Sequence, residues 1–358
     1  MTAPNPWPAV TYVMPVLNEA EYVGEAIESV LSQDYAGSKE IVLALGPSSD
    51  ATNEIVYRLA AHDPRVRWVD NPAGRTPAGL NAAIRATTSP IVIRVDAHSV
   101  LDPSYTSQGV STLLRTGAAD VGGRMAARGR NPLQRAVAAA YNSPMGLGGA
   151  AYHSGAPEGE TESAYLGIFR RSIFEDVGLF DETLWRGQDW EMCLRIRQAN
   201  EVVWFDPALS TTYFPRDDYR NLAAQSYASG VWRGELARRY KDGKSLRHVV
   251  PPLMTVAVAV GSAAWLAAPK RLPTLACGVV RTLRAAPLVY AALIAAVALR
   301  ADLPNGRERF HLLRVLPTIH FPWAWGFVRG RLRGAGRTTD QSRTAKTARS
   351  EHPQGPPA

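Results

Sequence analysis

Two potential metal ligands stand two residues apart at the end of an apolar run, where Pro90 to Val95 leads into Asp96, Ala97 and His98. A buried strand that presents a carboxylate and an imidazole at its C-terminal tip places them where open α/β sheets bind ligands, and on the same side. Together they could hold a divalent cation that in turn holds a diphosphate. Taken alone, the segment suits an Asp capping a turn beside an exposed His just as well. Two further acids, Asp189 and Glu191, fall near the start of the helical stretch 185–200, whose arginines come later, an arrangement that suits the helix dipole. Arg75 precedes another helical stretch, and its planar guanidinium fits phosphate oxygens.

These residues need a scaffold, and residues 10–100 supply one by alternation. Val10 to Val16, Glu40 to Leu45, Val66 to Val69 and Pro90 to Val95 read as strands. Between them, Val23, Ala26, Ile27, Val30 and Leu31, then Ile55, Leu59 and Ala60, recur at helical spacing, and a third helix is expected to begin over Asn81 to Ala86. Strands alternating with helices through short turns predict a mostly parallel, doubly wound α/β sheet. Residues 101–215 are less regular, and the glycine-rich stretch Met145 to Gly155 is expected to be a mobile loop.

The composition changes near residue 249. Val249 to Ala268 is apolar and almost uncharged, Ala285 to Leu299 is a shorter apolar run, and Phe310 to Val328 mixes apolar and aromatic residues with prolines. The first approaches the length of a membrane span, and Trp323 and Trp325 suit a membrane interface. A helical hairpin, a re-entrant packing and two full crossings all remain open, because basic residues flank both ends of the first two runs. The division expected is a catalytic domain over 1–240, a membrane-associated helical region over 241–333 and a disordered basic tail over 334–358. The net charge of +8 favours anionic partners, and the two cysteines, Cys193 and Cys277, form no metal-binding spacing and suit a reducing compartment. The basic residues are dispersed and no recognition module is visible, which disfavours nucleic acid. The N-terminus carries no signal-peptide pattern.

Four segments in order, 13–35, 40–52, 71–84 and 93–99, resemble the motifs of a family 2 glycosyltransferase of the GT-A fold, and within it the membrane-associated, succinoglycan-type (ExoA-like) branch. The resemblance covers roughly residues 10–240 and extends more weakly to about 330. It implies that Pro15, Leu17, Asn18 and Glu19 border the nucleotide, that Arg75 and Asn81 serve the donor, and that Asp96 and His98 take the place of an Asp-X-Asp metal motif. His98 replaces the second Asp and shifts the expected ion from Mg²⁺ somewhat toward Mn²⁺. Asp189 matches the second member of the family's acidic pair, the general base, and Gln188 replaces the first. Leu45 stands where the family commonly has a base-reading Asp, and Ser48, Ser49 or Asp50 are possible substitutes. Arg170 and Arg171 could face donor or acceptor phosphate.

The resemblance therefore implies an inverting, metal-dependent transfer of a sugar from a nucleotide-diphosphate donor to a lipid-linked saccharide or another amphiphile, at the cytoplasmic face of the membrane. Transfer to a polyprenyl phosphate is an alternative that needs no strong base. A catalytically silent sugar-binding scaffold is another, raised by Leu45 and Gln188.

Overall fold

The structure, a computed structural model, describes residues 7–147, 152, 156–240, 246–267 and 274–338. Most of the glycine-rich stretch and all but the first residues of the expected tail lie outside them. Two compact units form: one from Met1–Ala126 and Ala150–Tyr213, the other from Ala127–Gly149 and Phe214–Thr338. The second unit thus begins at Phe214 and includes an earlier excursion, whereas the composition alone placed its start near residue 241.

In the first unit the elements run β1 (Val10–Val16), α1 (Val23–Leu31), β2 (Lys39–Leu45), α2 (Thr52–His62), β3 (Val66–Asp70), α3 (Thr76–Arg85), β4 (Ile91–Arg94), β5 (Val100–Leu101), α4 (Tyr105–Thr116) and β6 (Asp120–Ala127). After α5 (Pro132–Tyr141) and α6 (Pro144–Leu147) of the second unit come β7 (Gly159–Glu160), β8 (Ile168–Arg170), α7 (Ile173–Asp176), α8 (Gln188–Gln198) and β9 (Val203–Tyr213). The described strands join in one sheet of order β3-β2-β1-β4-β8-β6-β9-β5, with β7 on β9. β3, β2, β1 and β4 pair in parallel, and β8 continues the sheet antiparallel to β4.

The strand pleat divides the core. Tyr12, Met14, Val16, Ile41, Leu43 and Ile93 face one layer, which α1, α2 and α4 cover. Val13, Val42, Ala44 and Val92 face the other, covered by α3, α8 and the Phe169, Phe174 and Phe180 cluster. Burial on both faces is why these strands read as unbroken apolar runs. Because β1 lies between β2 and β4, the chain reverses its winding there, and the crevice at the C-terminal ends of β1 and β4 is the topological switch point.

Two expected boundaries move. The third helix starts at Thr76, not Asn81, because Pro77 suits a first helical turn, where its missing N–H costs no hydrogen bond. Strand β4 ends at Arg94, and Asp96 to Ser99 forms a turn closed by the Ser99 N–H to the Asp96 carbonyl. Asp96 and His98 are therefore grouped by a turn and not by the pleat of a strand.

The second unit adds α9 (Tyr219–Arg239), α10 (Leu246–Ala267), α11 (Thr274–Arg300) and α12 (Gly306–Arg333). Its spine is the pairing of α9 with α12, and glycines make it possible. A Cβ on Gly230 would strike the Trp323 carbonyl, and one on Gly234 the Phe327 carbonyl. In return, a Cβ on Gly326 or Gly330 would strike the carbonyls of Tyr227 and Val231. Each helix thus carries a glycine pair four residues apart on the face that meets the other, the spacing that lets backbones approach closely. Leu312, Val315, Leu316 and Ile319 of α12 are buried, so the third apolar segment is a packing helix of this unit. By contrast, His248–Leu266 and Val280–Arg300 are long and apolar enough to cross a membrane and are scarcely buried.

Replacing Gly330 with Leu should destabilise this unit by about 1–3 kcal/mol, the range for overpacking a tight contact. Thermal unfolding would show it as a lowered midpoint, whereas Gly278→Leu, outside the helix pair with open space at its Cβ, should cost much less. Equal losses would mean that the close approach carries no weight.

Candidate active site

The loops that follow β1 and β2 are tied to one another. Asn18 takes a left-handed backbone conformation (φ 53°), which Asn tolerates better than most residues. Its N–H donates to Ser48 Oγ at 3.1 Å, and its Oδ1 accepts the Ser49 N–H at 2.7 Å. The Glu19 N–H donates to Thr52 Oγ1 at 2.8 Å, and the Ala20 N–H to Asp50 Oδ2 at 3.2 Å. Asp50 also accepts from the Thr52 N–H at 3.1 Å. Asn18, Ser48 and Asp50 therefore hold the two strand-end loops together, and both Asp50 oxygens are engaged in doing so. Leu45 is buried, Pro15 lies opposite Ala44 in the strand register, and Leu17 packs near Gly46. Pro15 and Leu17 shape this end of the sheet through packing.

The Glu19 carboxylate crosses the switch point. Its Oε1 lies 2.8 Å from His98 Nδ1, which joins the loop after β1 to the turn after β4. The Tyr213 ring meets the His98 ring edge-on at 6.5 Å. With Nδ1 held by a carboxylate, Nε2 is the His98 nitrogen that would be left for a cation, the arrangement usual for metal-binding histidines. Among the described residues no group of three or more His, Cys, Asp or Glu side chains could enclose an ion. A cation that arrives with a nucleotide diphosphate needs no such cage, because the phosphates and water complete its shell around one or two protein ligands. Asp96 and His98 fit that requirement.

Beside Asp96 stands a residue that motif matching passed over. Arg94 is the last residue of β4, and only 5% of it is exposed. Its Nη2 donates to Asp96 Oδ1 at 2.9 Å, and its Nη1 is paired with Asp189 Oδ1. The signal was visible as a lone arginine inside the apolar run 90–95.

Asp189 is held at the first turn of α8, directly after Gly187, whose left-handed φ of 81° turns the chain into the helix. The first turn of a helix favours a carboxylate electrostatically. Glu191, two residues on, has a different place. It is buried and grips Arg195 with both oxygens, at 2.7 and 2.8 Å, while Arg195 also donates to the Leu179 carbonyl at 2.9 Å. That bidentate pair anchors α8 to the segment before it. Of the two acids, Asp189 is the one joined to Asp96 through a shared cation.

The remaining predicted residues serve the segment over α3. Asn81 is buried; its amide donates to the Phe180 carbonyl and to Glu182 Oε1, both at 2.9 Å, and accepts the Phe180 N–H at 2.9 Å. Arg75 donates to the Glu182 carbonyl at 2.7 Å and lies 5.8 Å from the Trp185 ring centre. Asn81 is thus a packing anchor, and Arg75 stands at the head of α3 beside an aromatic. Arg170 pairs with Glu201 at 2.9 Å and Arg171 donates to the Ile84 carbonyl at 3.2 Å, so both are engaged in the scaffold.

Behind Arg94, Asp120 at the start of β6 is wholly buried and accepts from Cys193 Sγ at 3.5 Å. Burial drives its carboxyl up to about 7, against the weaker pulls of the Cys193 contact and the Arg94 charge.

A doubly wound sheet with a crevice at its switch point, and acids at the β4 turn and at a helix start, is the architecture of the GT-A fold. Residues 11–178 match the family described as Glycosyl transferase family 2. The chain is 32% identical over 252 residues to the succinoglycan biosynthesis protein ExoA of Rhizobium meliloti, covering 70% of this chain and 76% of that protein. It is 22% identical over 240 residues, 64% of this chain and 74% of the other, to a Methanococcus voltae dolichyl N-acetyl-alpha-D-glucosaminyl phosphate 3-beta-D-2,3-diacetamido-2,3-dideoxy-beta-D-glucuronosyltransferase. The fold is similar to that of the mannosyltransferase PcManGT from Pyrobaculum calidifontis, solved with GDP-Man and Mn²⁺, with a TM-score of 0.61, 20% identity and 92% and 91% of the two chains covered. The chain belongs to glycosyltransferase family 2.

The Asp120 geometry sets a pH dependence. The native carboxyl holds its proton up to about pH 7, whereas the unfolded one releases it near the ordinary value of 3.8. The native state therefore binds more protons between these values, and stability should fall as pH rises through that window. Asp120→Asn should flatten this part of the profile, which unfolding midpoints recorded between pH 4 and 7 would report. An unchanged slope would show that Asp120 does not titrate there.

Proposed function

We propose that this glycosyltransferase moves a sugar from a nucleotide-diphosphate donor to a lipid-linked saccharide, with inversion, in the synthesis of a cell-surface polysaccharide or glycolipid. The observation that supports the reading is the pairing of Asp96 and Asp189 on one buried guanidinium, which brings the carboxylate assigned here to the donor side and the one assigned as base close together. The names of the succinoglycan and dolichyl-linked relatives support the polymer and the lipid-linked acceptor. The GDP-Man and Mn²⁺ in the archaeal structure support the donor class and a divalent ion.

Asp96 and the Nε2 of His98 would hold Mn²⁺ or Mg²⁺, which when bound neutralises the charge gathering on the departing diphosphate. Glu19 keeps the His98 ring in the orientation that presents Nε2. Asp189 takes the proton of the acceptor hydroxyl. The hydroxyl oxygen forms its bond to the anomeric carbon as the bond from that carbon to the diphosphate oxygen breaks on the opposite face. Inversion follows from that single displacement. Leu45 presents no acceptor to a nucleobase and Asp50 is committed to the loops, so hydrogen bonds to the base fall to backbone groups at the ends of β1 and β2.

Removal of a general base costs about 10²–10⁴-fold in rate. Asp189→Asn should therefore lose turnover on that scale while keeping nucleotide-diphosphate affinity, since the carboxylate acts only on the acceptor proton. Asp96→Asn should lose the metal-dependent part of nucleotide-diphosphate binding itself, read by calorimetry with and without Mn²⁺. Chromatography of the lipid products tests the acceptor: near-normal turnover of Asp189→Asn on a polyprenyl phosphate would shift the reading to a polyprenyl-phosphate sugar synthase.

The hairpin α10–α11 supplies the membrane side of the proposal. The 19-residue window His248–Leu266 extends for about 28 Å at ~1.5 Å per residue, close to a hydrocarbon core of about 30 Å. The full-length chain should sediment with membranes and resist carbonate extraction. Lysines introduced at the exposed apolar positions Val256 and Leu293 should weaken that hold, and ultracentrifugation would read the shift. Shortening the chain at Arg239 is a poorer test, because it would strip α12 from α9. A wild-type chain that stays in the supernatant without detergent would overturn the membrane reading.

A further inference from the structure

Arg94 is the one buried cation at the described site whose two carboxylate partners lie on opposite sides of the reaction. Its backbone N–H donates to the carbonyl of Gly167, the residue before β8, at 3.0 Å, which fixes the base of the side chain. Its side chain is only 6% exposed and ends on Asp96 and Asp189. A guanidinium is planar and always charged, and its nitrogens keep a fixed separation. Two carboxylates held by its two terminal nitrogens are thereby held at a set distance from one another. Lysine, a single point charge on a flexible stem, cannot impose that distance.

Asp189 has little else to fix it. It stands at the first turn of a helix that follows a glycine, its side chain is a third exposed, and the hydrogen bond of Glu191 that anchors α8 acts two residues further on. Asp96 lies in a turn past the end of its strand. The rigid member of the trio is Arg94, inside the sheet.

We propose that Arg94 is a positioning residue that holds the base Asp189 at a fixed distance from the donor-side carboxylate Asp96. This inference rests on the general-base reading of Asp189 given above. It makes Arg94 act on the chemical step through Asp189, since the two terminal nitrogens are ion-paired to the two carboxylates. It also gives the neutralised pair a reason to exist without substrate: two carboxylates at one strand end repel each other, and the shared cation removes that repulsion.

The test is a double-mutant cycle on the full chain, with turnover, donor KM and Mn²⁺ binding measured for each member. Misplacement of a reacting group by about 1 Å can cost on the order of 10²-fold. Arg94→Met should lose turnover on that scale with donor KM little changed. Adding Arg94→Met to Asp189→Asn should cost nothing more, because the group through which Arg94 acts is already gone. Mn²⁺ binding to the substrate-free protein, read from the spin-resonance signal of free Mn²⁺, should be retained or tightened by Arg94→Met, which removes a positive charge beside Asp96. Arg94→Lys keeps the buried charge and should fold, yet lose turnover to an intermediate degree. If Arg94→Met does not fold, the cycle is read from Arg94→Lys. Independent, multiplicative losses in the double mutant, or wild-type turnover in Arg94→Lys, would overturn the inference. So would a loss confined to Mn²⁺ affinity. Wild-type turnover in Asp189→Asn would overturn the base reading and this inference together. A deep loss in Asp189→Asn with multiplicative losses on adding the arginine variant would overturn this inference alone.

Discussion

The burial of Arg94 is the constraint around which the site is arranged. A guanidinium within a sheet loses most of its hydration, and that loss is tolerable only where opposite charges stand against it. Asp96 and Asp189 are those charges, and both are drawn to the C-terminal end of β4. The local order of the chain follows: a strand that ends at Arg94, a turn that brings Asp96 back toward it, and a helix start that delivers Asp189 from a segment nearly a hundred residues later. An apolar residue at position 94 would pack well in this strand and would leave two carboxylates facing each other with no counter-charge.

The same spatial economy separates residues that can meet a ligand from residues that hold the loops. Asn18, Asp50 and Asn81 have their polar groups engaged by neighbouring backbone, so each fixes a segment in place. Glu191 does so through Arg195. Glu19 belongs between these groups: it is committed to His98, and that commitment leaves one imidazole nitrogen to act. A motif residue is thus informative in two ways, as a ligand or as the reason a ligand is well placed, and only the partner list of each side chain distinguishes them.

Much of this was legible beforehand. The strands β1, β2 and β4 declared themselves because both their faces are buried, which removes the polar alternation that would otherwise blur a strand. Their mostly parallel, doubly wound arrangement could be inferred, and with it a ligand site at the strand ends. Helix α3 was placed too late because its amphipathic pattern strengthens only after Pro77, while the backbone had turned helical at Thr76. The partners of Arg94, Asn81 and Glu191 were not legible, because each arises from packing between segments far apart in sequence or from which of several nearby acids faces inward. The choice of Asp189 over Glu191 illustrates the limit. Both acids lie in the first turn of α8 and both suit its dipole, and only the three-dimensional position of Arg195 removes one of them.

The C-terminal third shows why hydropathy alone misleads. Three apolar segments follow one another in the sequence, and they divide by how much of each is buried. In α9 and α12, glycines at a four-residue spacing on facing surfaces let the two backbones touch, so α12 buries Leu312, Val315 and Ile319 within the protein. Helices α10 and α11 keep long apolar flanks exposed, with Leu253, Val256, Leu288 and Leu293 among them. Apolar surface on that scale is unfavourable in water. Gly261 of α10 closes on the Leu283 carbonyl of α11, so this pair also packs through a glycine while its outer flanks stay exposed. Both helices are long and apolar enough to cross a membrane, and an apolar solvent would accommodate those flanks where water does not.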